Sequence, residues 1–167
     1  MKAWTWTVSA VVVLAAAACA RKPPVVEISQ DRIAEARQWT ARLATPPAME
    51  GALQAQGTAT MAAGPEHSET IIAVHLSNVA PGGVHPWRVH TGQCGREGSD
   101  VVRVTDDGRM LKVNDEGRAD ASATVTGMPV PVTGDYAVTV VASPENQAVV
   151  IACGNFAPPP GTPGVTP

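Results

Sequence analysis

Between positions 39 and 156 the chain is broken roughly every 8 to 12 residues by a cluster of turn-forming residues. The clusters are "GPEHSE", "APGG", "DDG" (106–108) and "NDEG" (114–117), joined by a turn rich in proline and glycine before residue 53. A globular helix needs a longer uninterrupted run than this spacing leaves, whereas a strand of 4 to 8 residues fits it. The segments between the breaks read accordingly. "WTARLA" (Trp39–Ala44) alternates apolar and polar residues. "LQAQGTATMA" (53–62), "TIIAVHLSNV" (70–79), "HPWRVHTG" (85–92) and "RMLKV" (109–113) follow, then "RADASATV" (118–125), "DYAVTVVAS" (135–143) and "AVVIACGNF" (148–156). "DDG" and "NDEG" read as hairpin turns on either side of "RMLKV". Seven or eight short strands with little helix predict an all-β sandwich or Greek-key barrel. Aromatic residues make up only 4% of the chain, so valine, isoleucine, leucine and alanine must fill its core.

The two ends obey different rules. Lys2 is followed by an apolar core over 8–18 ("VSAVVVLAAAA") and then Cys19. That core is too short to span a bilayer and has the length of a signal-peptide core. Three alanines directly before Cys19 resemble the cleavage box of bacterial lipoproteins, which implies a lipid-bearing Cys19 as the mature N-terminus. Ala16 stands where leucine is commonest in that box. An ordinary secretory signal cut near Ala18 is the competing reading. Residues 1–18 are thus expected to be removed and 19–37 to form a tether, with a short helix capped by Ser29 over 30–37. The β-domain is expected over 38–156. The closing segment 157–167 ("APPPGTPGVTP" with its neighbours) lacks donors at its prolines and is expected to be disordered. These readings place the protein in a bacterial cell envelope, held to a membrane by its lipid and facing the periplasm or the exterior.

With Cys19 committed to lipid, Cys94 and Cys153 remain, and an exported chain meets an oxidising compartment where they are expected to pair. The alternative is two buried free thiols. The formal charge of −3, with no basic cluster, argues against nucleic acid as a partner. No second hydrophobic stretch is long enough to span a membrane.

The stretch "HPWRVHTGQC" (85–94) carries most of the functional signal. Alternate residues of a strand share a face. Trp87 and Val89 therefore point to the core, and Arg88 and His90 away from it. Two imidazoles at i and i+2 would suit one metal ion, but the first of these positions is Arg88, which stays protonated and cannot ligate.

Over about 39–156 the chain resembles the copper/zinc superoxide dismutases, and most of all a divergent bacterial branch of them. The resemblance rests on "PWRVHTGQC" against that family's H-x-H strand with its nearby cysteine, and on "IACGNF" against its closing "ACG" strand. An "xxGxA" strand (56–59) precedes them in the same order. It implies a Greek-key β-barrel and a Cys94–Cys153 disulfide. His90 matches the second histidine of H-x-H, a copper ligand; Arg88 occupies the place of the first. The family's remaining ligands lie between the two disulfide cysteines, and this sequence has no histidine after His90. Val150 stands where the family carries an arginine that guides superoxide. The expectation is a degenerate metal site and no catalytic residues.

Other chemistries find less support. His85 lies on the opposite strand face from His90 by parity, His75 sits among apolar neighbours and His67 in a turn. Asp106, Asp107, Asp115 and Glu116 lack the spacing of a calcium loop and read as solvated turn residues. No nucleophile elbow and no phosphate-binding glycine loop is present. Trp87, Arg88 and His90 are a candidate recognition patch, though a solvated face explains Arg88 and His90 equally simply. No cofactor is expected. Copper at His90 and His85, with Met61 as a third donor, is the alternative, in a copper-binding or chaperone role or an atypical dismutase. The protein or small-molecule partner is not legible.

Overall fold

A computed structural model describes residues 37–104 and 109–160. Within them the protein is all-β, built on one curled antiparallel sheet that forms a half-barrel. The strands in chain order are β1 (Trp39–Ala44), β2 (Gln56–Ala63), β3 (Glu69–Ser77), β4 (Val84–His85) and β5 (Trp87–Gln93). They continue as β6 (Arg96–Val104), β7 (Leu111–Lys112), β8 (Ala119–Thr126), β9 (Tyr136–Val141) and β10 (Val150–Ala157). A single 3-10 turn, Pro47–Met49, lies between β1 and β2.

Eight strands form the main sheet in the order β6-β5-β9-β10-β1-β2-β3-β8, and β4 pairs with β7 in a separate ribbon. Strict alternation makes the sheet one-sided. Trp39, Ala41 and Leu43 of β1 are buried while Thr40, Arg42 and Ala44 are not. In β3 the inward set is Thr70, Ile72, Val74 and Leu76. Trp87 and Val89 near one end of the sheet share a single core with Ala119 and Ala123 at the other end. A flat sheet cannot bring such distant strands to one core, so the sheet must curl around it.

Two buried tryptophans carry a polar N–H into this core, and each finds a carbonyl, as burial demands. Trp39 Nε1 donates to Pro131 O at 2.9 Å, and Trp87 Nε1 donates to Arg109 O at 2.9 Å. Trp39 also meets Tyr136 edge to face at 5.8 Å.

Cys94 and Cys153 are bonded, with their Cα atoms 6.0 Å apart. The bridge ties the β5–β6 turn to β10, across the intervening β9. Closing a loop of this length is worth about 4 kcal/mol on the chain-entropy account.

Several expectations change. The stretch 96–104, which falls in none of the strands read from the sequence, is β6 and pairs with β5 along its length. Its charged residues suit an edge strand, where charge discourages a further strand from adding. The expected strand over 85–92 is divided at Pro86 into β4 and β5. The "NDEG" turn does form, with Gly117 N–H donating to Asn114 O at 3.0 Å. It does not close a two-stranded hairpin, because β7 pairs with β4 while β8 pairs with β3. The "DDG" turn, all but the last residue of the helix expected over 30–37, and residues 161–167 of the tail expected over 157–167 lie outside the described residues, while Ala157 of that tail closes β10.

Candidate functional site

Strand β5 pairs with β9 in unbroken register, with Arg88 opposite Thr139 and His90 opposite Ala137. Those four residues therefore share the outer face of the sheet. On the β1–β3 side the outer face is wet. On the β5–β9 side it is not: Ala137 is 0% exposed, Thr139 1% and His90 1%.

This corrects one expectation. Arg88 and His90 do lie opposite the core, but His90 does not look into solvent. It is fully buried, and Arg88 is half-buried. Trp87 is buried in the core on the other face, so Trp87, Arg88 and His90 do not make an exposed recognition patch. Alternation gave the correct face, but a second layer covers it.

The polar groups of this layer are mutually engaged. Arg88 Nε donates to Thr139 Oγ1 at 3.3 Å, and its Nη2 donates to Gln147 O at 3.3 Å. His90 Nδ1 lies 3.2 Å from Thr91 O and so carries the proton toward that carbonyl. Its Nε2 is then a buried lone pair without a protein partner. Glu97, the second residue of β6, takes a hydrogen bond from Gly95 N–H at 3.0 Å. That bond holds its carboxyl below the usual value. Slight burial opposes the shift, while its own N–H and the charge of Arg88 reinforce it.

His85 is buried as well, and its Nδ1 faces Ala142 O at 2.8 Å and Val141 O at 3.2 Å. Its Nε2 is also buried without a partner, close against Gly83. The two imidazoles do not converge. His85 is held at residues 141–142, His90 opposite Ala137, and four to five strand residues separate those points by about 15 Å. Met61 is 0% exposed within the core, on the inner face of β2. No three His, Cys, Asp or Glu side chains gather among the described residues. Copper held by several imidazoles, which the resemblance implies, does not fit this donor set.

His67 is exposed in its turn, as expected. His75 stands on the outer face of β3, where its Nδ1 pairs with Asp120 Oδ1 of β8 at 2.7 Å. The pair borders an open groove of about 490 Å³ that Thr58, Thr60, Ser122 and Arg109 also line. Asp115 and Glu116 are exposed turn residues. Asp106, Asp107 and Cys19 lie outside the described residues.

Sequence reasoning did not find the second cleft, of about 530 Å³, beside the disulfide. Its walls come from Pro46, Pro47, Cys94, Val150 and Cys153, with Arg42, Glu50 and Glu97 among the polar groups. Val150 thus lines a partly apolar wall where an arginine was the family expectation. The engagement of Arg88 by Thr139 and Gln147 was equally hidden, since it joins positions 51 and 59 residues apart. No protein-family model matches the chain, and no curated protein matches it.

Proposed function

We propose that this chain is a bacterial envelope lipoprotein whose β-domain has the copper/zinc superoxide dismutase type of Greek-key fold and serves a structural or binding role without catalysis. The order of strands supports the fold type: β3 and β8 are neighbours at one end of the sheet, while β5 and β9 are neighbours near the other. The chain therefore crosses the barrel twice, once between β3 and β5 and once between β8 and β9, as Greek-key connections do. The disulfide supports it too, because it joins the two segments on which the resemblance rests.

One observation carries the functional reading. Where the resemblance needs a second copper-binding imidazole stands Arg88, and its guanidinium is already bonded to Thr139 and Gln147. A permanently protonated group within the layer that buries His90 opposes a cation and supplies no lone pair. Fold and chemistry separate at this point: the barrel is a scaffold, and the residues decide what is done on it.

Elemental analysis of the full chain after copper and zinc loading tests this. The expected result is substoichiometric, easily removed metal. Stoichiometric, tightly held copper would overturn the reading. The buried lone pairs at His85 and His90 favour a second reading, a copper-binding or chaperone protein without turnover. Copper retained without dismutation, and lost in His90→Ala, would select it.

A further inference from the structure

The outer face of β9 is dry although it faces away from the core. Ala137, Thr139 and Val141 are each no more than 3% exposed. The β9–β10 turn, residues 142–149, is bonded to this face at Arg88. The turn is closed at its base, where Ala142 N–H donates to Val149 O at 2.9 Å. His85 Nδ1 holds the same base through Ala142 O at 2.8 Å. Internally, Asn146 N–H is shared between the carbonyl and hydroxyl oxygens of Ser143, and Gln147 Nε2 donates to Pro144 O. The turn is thus a preformed unit with an exposed tip, Pro144 to Asn146.

Its far limb is fastened to the sheet through Gln147 O, which accepts from Arg88 Nη2, while Arg88 Nε reaches Thr139. Two residues along β5 from Arg88, on the same face, lies the unpartnered Nε2 of His90. We propose that residues 142–149 form a strap, hinged at Ala142 and latched by Arg88, which closes His90 off from solvent and opens to expose it. The inference does not depend on the family resemblance. A buried acceptor without a donor costs stability, and opening lets water satisfy it.

Carbethoxylation by diethyl pyrocarbonate, mapped residue by residue in the full chain, reads access to imidazole nitrogens. His67 and His75 are exposed and serve as references. In the wild type His90 should react far more slowly than His75. Arg88→Ala should accelerate His90 by about tenfold, with amide-exchange protection of β1–β3 unchanged. Thr139→Val, which removes one of the two latch bonds and keeps the shape, should give a smaller acceleration and covers the case in which Arg88→Ala fails to fold. Three outcomes overturn the proposal. One is His90 reacting as fast as His75 in the wild type. Another is a rate unchanged in both variants. The third is acceleration with an equal loss of protection in β1–β3, which means global loosening rather than an opened strap.

Discussion

At the level of single residues, His90 shows what side-chain parity conveys and where it stops. Alternation placed it with Arg88, opposite Trp87 and Val89, and the structure agrees. Parity has no means of showing that a turn more than 50 residues later would be fastened to Arg88 on that face. Its buried Nε2 has a consequence for stability. Removing an unsatisfied buried group while keeping its bulk is neutral or favourable, whereas removing the bulk leaves a hole. His90→Leu should therefore leave thermal stability within about 1 kcal/mol of the parent or raise it. His90→Ala should cost about 2 kcal/mol or more. Thermal melts of the two variants check this, and a larger loss in His90→Leu would show that Nε2 has a partner. Glu97 supplies a pH dependence. Its carboxyl is depressed in the folded state, chiefly by the Gly95 N–H. The stabilisation it gives the β5–β6 turn is therefore present above the ordinary carboxylate pKa and is lost as pH falls through the lower folded value. Carbon-detected NMR should show Glu97 titrating below the other glutamates at the surface that carry no such bond. In Glu97→Gln the turn should lose this acid-side dependence.

At the level of elements, the strands with apolar alternation were legible and the polar one was not. β1 was read to the residue because "WTARLA" alternates cleanly. β6 was missed because Arg96, Glu97, Ser99, Asp100 and Arg103 read as loop. Its place at the sheet edge explains that composition, since an edge strand has one neighbour and needs no two-sided apolar pattern. The site was hidden for a similar reason. Its defining contacts join β5 to β9 and to the turn beyond β9, so no local motif contains them. Gly57 in β2 shows what an element demands of one position. It pairs with Leu43 on one side and Leu76 on the other, and a Cβ there would overlap the His75 carbonyl. That obstacle is backbone, which cannot swing aside like a side chain. Gly57→Ala should destabilise the domain by about 1–3 kcal/mol, by chemical denaturation with an unchanged slope. An undiminished midpoint would show that β2 and β3 have slack there.

At the level of the whole molecule, β1 and β10 fix a polarity. Thr40 pairs with Ala157, and Ala44 pairs with Cys153 at the other end. The described chain thus enters and leaves at one pole, and the cleft beside the disulfide lies at the other, about 15 Å along the strands. In the proposed lipoprotein a tether from Cys19 would reach the first pole, and the cleft would face away from the membrane. Cys19→Ala should then move the protein from the membrane to the soluble fraction with the β-domain still folded. Mass spectrometry of the membrane-bound parent should find acyl mass on Cys19, and a mature N-terminus without it would rule the anchor out. In the proposed reading the barrel is a dismutase-type scaffold in which Arg88 stands at a ligand position and His90 is buried. Superoxide consumption by the copper- and zinc-loaded full chain, compared with the same amount of free copper under chelation, tests it most directly. The account predicts a rate indistinguishable from the background. Dismutation well above that background, abolished by His90→Ala, would contradict it.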